Sequence, residues 1–228
     1  MNEATPDTRP TPLQEINAQI ASAAKIARRE PSDIKLIAVS KTRSAEQIAP
    51  LLAAGHRVFG ENRVQEAAAK WPMLRANYPD TELHLIGQLQ SNKADEAVAL
   101  FDVIHSLDRP SLASALGNAM RAQDKKVTCF IQVNIGEEAQ KGGCPLAELP
   151  TLLDTARAED IPVIGLMCLP PADIEPAPFF ALLAELAARH GLGGLSMGMS
   201  DDFATAIMLG ATHIRVGTAL FGERASAV

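Results

Sequence analysis

The side chain best suited to covalent chemistry is Lys41, which directly follows the apolar run KLIAVS at residues 35–40. A lysine held partly out of water at a strand end loses proton affinity, and its neutral amine can condense with an aldehyde. An exposed lysine opening a loop fits the same position. Near the other end of the chain, LSMGMSDDF and HIRVGTALFG each read as a short strand, a glycine, a hydroxyl residue and a helix start. Gly198, Ser200 and the amides that follow make one half of a phosphate cradle, and Gly217 and Thr218 make the other. Asp201 and Asp202 would repel a phosphate if they faced it, so they are expected to point outward while favouring the helix dipole. Arg215 lies two residues before Gly217 and shares its face. If that face is interior, the guanidinium needs an acceptor, which a pyridine nitrogen or a carboxylate on a neighbouring strand can supply.

Other polar residues also close apolar runs. Gly60-Glu61-Asn62 follows VF, where glycine allows close backbone approach and Asn62 offers a donor and an acceptor, or simply caps a helix. HLIGQLQSNK ends in Gly87 with Gln88, Asn92 and Lys93 beyond, and a helix starting near Ser91 accounts for most of that run. His84 and His105 fall inside strand patterns and read as core or supporting histidines in preference to catalytic ones.

These residues need a scaffold that gathers strand ends. From residue 13 the chain alternates β-branched runs with segments of helical apolar spacing, the mark of βα units. An opening helix carries Leu13, Ile16, Ile20, Ala24 and Ala27 on one stripe. Eight strands are expected, at residues 35–40, 57–60, 83–87, 103–107, 127–134, 162–169, 194–197 and 213–217. Helical stripes separate them: Ile48, Leu51 and Leu52 after a Ser44-x-x-Gln47 capping box; Leu112, Leu116 and Met120; Leu146, Leu149, Leu152 and Leu153; Phe179, Leu182, Leu183 and Leu186. Eight βα pairs predict a single (β/α)8 barrel of TIM type with an extra N-terminal helix, whose chemistry sits at the C-terminal strand ends. An open doubly wound sheet fits less well, because no GxGxxG follows the first strand. The expected division is a flexible lead-in over residues 1–12 and one barrel domain over 13–228.

Composition narrows the function classes. The 228 residues are 47% hydrophobic and 21% charged, enough for a sizeable core. A net charge of -6 without clustered Lys or Arg speaks against nucleic-acid binding. No apolar run spans a bilayer and no export signal is visible, so a cytoplasmic protein is expected. Cys129, Cys144 and Cys168 are odd in number and widely spaced, which suits reduced thiols, and no CxxC or HExxH supports zinc.

In order, AVSKT, FGENRVQE, HLIGQLQSNK, IHSLD, IQVN, KGG, GLM, LSMGMS and IRVGTALFG resemble the pyridoxal phosphate homeostasis protein family, relatives of the N-terminal barrel of alanine racemase. The resemblance runs from about Leu13 to Gly222. It implies a fold-type-III barrel with pyridoxal 5'-phosphate (PLP) as a Schiff base on Lys41 and Asn62 near the cofactor. It implies phosphate contacts from Ser196, Gly198, Met199, Ser200, Gly217 and Thr218, and Arg215 facing the pyridine nitrogen. It implies a carrier or regulator of vitamin B6 and amino-acid balance.

The residues favour a carrier as well. A racemase of this fold needs a second acid/base on the cofactor face opposite the lysine. The one tyrosine, Tyr78, precedes the third strand and is expected at the wrong end of the barrel. An arginine at the ring nitrogen gives up no proton, which makes the ring a poorer electron sink. No catalytic residue is assigned, and Lys141 is only a candidate. The rivals are a PLP-dependent racemase or lyase, and a Schiff-base aldolase holding a sugar phosphate. A monomer that exchanges PLP with apo-enzymes is the expected partner state.

Overall fold

The computed structural model describes residues 9–222. Its eight strands are β1 (Lys35–Val39), β2 (Val58–Glu61), β3 (Glu82–Leu85), β4 (Val103–Leu107), β5 (Thr128–Gln132), β6 (Val163–Met167), β7 (Gly194–Ser196) and β8 (His213–Val216). They pair in parallel, in sequence order, and close into a barrel as β8 meets β1 with Ile37 beside Arg215. Each expected strand is present to within two residues at either end. The residues trimmed from the C-terminal ends belong to the loops that carry the candidate site.

The helices are α1 (Pro12–Ile26), α2 (Ala45–Ala53), α3 (Val64–Asn77), α4 (Ala94–Leu100), α5 (Pro110–Gln123), α6 (Leu149–Ala158), α7 (Ala177–Arg189), α8 (Phe203–Met208) and α9 (Thr218–Phe221). α1 is the extra N-terminal helix and packs on α8 and α9. Its Thr11 cap accepts the Gln14 N–H, while the Gln14 side chain accepts the Thr11 N–H at 2.8 Å. The helix thus starts one residue before the expected boundary. Residues 1–8 of the expected lead-in, and 223–228 of the expected barrel domain, lie outside the described residues. The Ser44/Gln47 capping box on α2 is present.

Most of the core lies between the strands and the surrounding helices, with Phe59, Trp71, Phe101 and Phe180 fully buried. Each such side chain contributes roughly 2–3 kcal/mol by leaving water. α7 turns slightly from the expected stripe: Phe180, Leu183 and Ala187 are buried, while Phe179, Leu182 and Leu186 are only partly covered. Inside the barrel, where branched aliphatic residues usually fill the layers, the apolar cluster is small: Val103, Phe130 and Met167, with Leu169 against it. Ile37, beside Arg215, is fully buried as well, and polar side chains share that space. His84, His105 and Ser196 are fully buried and Arg215 nearly so. The rings of His84 and Phe130 both approach His213 across the barrel, which places this group on the inner face.

Candidate functional site

At the C-terminal ends of the strands lies an open cavity of about 340 Å³ lined by Val39, Lys41, Asn62, Ile86, Leu169, Met199, Ser200, Asp201, Arg215, Gly217 and Thr218. Its size suits a small-molecule site. Seven of the nine sequence-predicted binding residues line it. Ser196 and Gly198 sit behind the wall. Ser196 is fully buried beneath Arg215. Gly198 holds a left-handed φ of +93°, and a Cβ there would fall 2.6 Å from the Ala206 Cβ. The loop that carries Met199 and Ser200 therefore packs against α8 only because position 198 is glycine.

Lys41 stands in a tight turn closed by the Arg43 N–H on the Ser40 carbonyl at 3.1 Å. The next residue, Thr42, adopts a left-handed φ of +61°, which a β-branched residue rarely holds without support. That support comes from α3. Glu66 accepts the Thr42 N–H, while Lys70 Nζ donates to the carbonyls of Ser40 (2.9 Å) and Arg43 (3.0 Å) and to Glu66 (2.9 Å). Lys70 also pairs at 3.0 Å with Glu61, which is fully buried behind β2. Glu61 Oε1 further accepts from Ser40 Oγ and Trp71 Nε1, whereas its Oε2 has no hydrogen-bond partner. Burial pushes the Glu61 carboxyl up, against the pull of Ser40, Trp71 and Lys70. Sequence reading missed this brace. Lys70 and Glu66 share a helix face four residues apart, which alone suggests only a surface pair.

Asn62 is set by Gly87: a Cβ at 87 would lie 2.2 Å from the Asn62 carbonyl oxygen and 2.8 Å from its Cα. Close approach of the β2 and β3 ends explains the glycine. Gln88 and Lys93 face a neighbouring polar cavity of about 400 Å³ that shares Asn62. A 3-10 turn at Ser91–Lys93 leads into α4, as expected for that run.

Arg215 donates through Nη1 to Ser196 Oγ at 2.6 Å and through Nη2 to the Cys168 carbonyl at 2.9 Å. Both partners are neutral, so the strand carboxylate considered from sequence is not what holds it. Two of its five N–H groups are used there. Burial lowers its proton affinity, with Cys168 and Asp202 opposing. Asp202 turns back to accept the Met199 N–H. Asp201 lines the cavity, in contrast to the outward orientation expected, because the turn at residues 200–202 delays α8 until Phe203. Lys141 pairs with Glu138 at 2.6 Å and donates to the Pro170 carbonyl, and is not itself among the lining residues. Tyr78 caps the C-terminus of α3 beneath Arg57, ahead of β3 and so at the opposite barrel end.

The cavity thus offers an amine, a buried guanidinium with donors to spare, and two loops carrying hydroxyls and backbone amides. Such a set can hold a carbonyl compound with a phosphate and an aromatic nitrogen. The family model for the alanine racemase N-terminal domain matches residues 12–225. The pyridoxal phosphate homeostasis protein of Pseudomonas aeruginosa is 40% identical over 220 residues, covering 93% of this chain and 94% of that one. Its namesake in Aquifex aeolicus is 38% identical over 222 residues, covering 93% and 96%. The structure of PipY from Synechococcus elongatus with PLP bound superposes with a TM-score of 0.75 at 40% identity, covering 89% of this chain and 100% of that one. Alanine racemase of Clostridium difficile superposes at 0.65 with 14% identity, over 93% of this chain and 57% of that one, a likeness of fold alone.

Proposed function

This chain belongs to the pyridoxal phosphate homeostasis protein family, built on the alanine racemase N-terminal barrel, and from that premise we propose that it holds PLP in the cavity, linked covalently to Lys41, as an intracellular carrier and regulator of the cofactor. The observation that carries this reading is the gathering of Lys41, Asn62, Ser200, Arg215, Gly217 and Thr218 around one cavity. Bound PLP supplies an aldehyde reactive toward primary amines and an electron-withdrawing pyridine ring. Lys41 provides the amine, held by the Lys70 brace. Ser200, Gly217 and Thr218 serve the phosphate, with Met199 beside them. Arg215 meets the ring nitrogen as a donor that keeps its own proton. Ser196 and Gly198 act from behind, one on Arg215 and one on the loop.

A carrier is favoured over an amino-acid enzyme by the lining. Apart from Lys41 and Arg215 its one ionisable residue is Asp201, which is exposed, and the one tyrosine is at the far end. A cytoplasmic setting agrees with three buried free cysteines, each pushed up to about 12 by burial. No described helix is long and apolar enough to cross a membrane. We read the protein as a monomer that exchanges PLP with apo-enzymes. The test is an absorption titration with PLP, followed by borohydride reduction and peptide mapping. A visible band and a pyridoxyl label on Lys41 are expected; a protein that stays colourless overturns the reading.

A further inference from the structure

A continuous line of hydrogen bonds threads the barrel interior from the N-terminal strand ends to the cavity floor. It begins where Lys35 Nζ on β1 meets Glu82 Oε2 on β3 at 2.8 Å. Glu82 Oε1 lies 2.9 Å from His84 Nε2, and His84 Nδ1 lies 2.7 Å from His105 Nε2 on β4. His105 Nδ1 is 2.8 Å from Ser196 Oγ on β7, which accepts from Arg215 on β8.

The direction of every bond follows from its ends. Arginine only donates, so Ser196 Oγ accepts there, and with Glu82 accepting at the far end and both rings neutral its single proton turns to His105 Nδ1. His105 then carries its proton on Nε2 and gives it to His84 Nδ1. His84 in turn carries its proton on Nε2 and donates to Glu82, which as a carboxylate only accepts. Each ring atom has one role and both rings are neutral, in keeping with burial, which depresses the proton affinity of both histidines. Aligned bonds of this kind strengthen one another in a dry interior. Arg215, whose own hydrogen-bond partners are neutral, is thereby tied to a carboxylate at the opposite end of the barrel.

We propose that Glu82, His84 and His105 are positioning residues for the cofactor ring: through Ser196 they fix the orientation of Arg215 toward the ring nitrogen, coupling the N-terminal barrel mouth to ligand affinity. This rests on PLP occupying the cavity. Break any link, and the Ser196 hydroxyl is free to turn, so Arg215 loses a fixed acceptor and with it a fixed aim.

The test has two arms. In ligand-free protein near pH 7, ¹⁵N NMR of the histidine rings should show His84 and His105 neutral with the proton on Nε2. A proton on Nδ1 of His105, or a charged His105, overturns the line. In the second arm PLP is titrated into wild type, Glu82→Leu, Glu82→Asp and Ser196→Ala, with ring-¹⁵N-labelled PLP as reporter. Glu82→Leu, which leaves His84 Nε2 without its acceptor, and Ser196→Ala should bind about tenfold more weakly, within the usual range of site coupling, and move the ring-nitrogen resonance, while Glu82→Asp recovers most of both. Unchanged affinity and resonance in both variants overturn the proposal. Should Ser196→Ala fail to fold, Glu82→Leu carries this arm, because Glu82 is partly exposed at the mouth. A wild type that takes up no PLP defeats the cofactor reading, and the positioning role with it, while the ring protons still decide the line.

Discussion

At the scale of single residues, the site separates the group that reacts from the groups that hold it. Lys41 is only half-buried in its turn, so Lys41→Ala should abolish the borohydride-fixed label while shifting the thermal midpoint of ligand-free protein by no more than a few degrees. A large loss of stability would show instead that Lys41 is a structural residue. Lys70 presents the opposite case. Its ammonium neutralises a fully buried Glu61 with one oxygen unpartnered and ties both sides of the Lys41 turn. Removing one partner of a buried pair costs about 3–5 kcal/mol. Lys70→Met should therefore destabilise by about that much, measured by urea unfolding, and weaken PLP uptake. Glu61→Gln in the same chain should restore part of the stability, because the uncompensated charge is gone.

At the scale of elements, the barrel positions the site by letting strand ends and helix starts come unusually close. The β2 and β3 ends meet at Gly87, where a methyl group would collide with the backbone of Asn62. Gly87→Ala is expected to cost about 1–3 kcal/mol through overpacking and to reduce PLP affinity by shifting Asn62, read by a melting curve and an absorption titration. Normal stability together with normal affinity would show that the two ends can part without consequence. α3 has a second element-scale role, since it reaches over the β1 end with Lys70 and Glu66 and so makes the Lys41 turn depend on a helix that follows the next strand.

At the scale of the whole molecule, a histidine-lined interior makes stability depend on pH. Burial lowers the proton affinity of His84 and His105, and takes His213 to about 3. The unfolded chain therefore binds more protons below about pH 6.5, and this stabilisation is full above that pH and lost as pH falls beneath it. Glu82, held at about 2 first by its bond to His84 and then by Lys35, contributes above about pH 4.5 and loses its contribution toward pH 2. Glu61, raised by burial, runs the other way. Three histidines outweigh one carboxyl, so the unfolding free energy from urea titration should fall between pH 7 and 5, by about 2 kcal/mol from His213 alone; a flat profile would mean that the interior admits water. PLP at a hundred times its Kd should raise stability by about 2.7 kcal/mol, visible as a higher melting temperature that Lys41→Ala diminishes.

Much of this was legible in the residue order. Short β-branched runs alternating with helical apolar spacing announce eight βα units, because each kind of element buries its apolar side chains in its own rhythm, and the polar residues closing each run mark the rim. Lys41, Asn62, Ser200, Arg215, Gly217 and Thr218 are legible in the sequence as strand-end groups. The long-range partners had no signal of that kind. Glu61 and Lys70 meet only because α3 folds back over β1, and Glu82, His84, His105 and Ser196 align only because closure brings β3, β4, β7 and β8 around one interior. Asp201 faces the cavity because a turn delays α8, a loop geometry that no periodicity encodes. Local sequence determined which elements form and which residues end them, since propensity and burial pattern act over a few residues. Barrel closure decided which buried polar groups share a bond, because that depends on register and tilt across strands far apart in the chain.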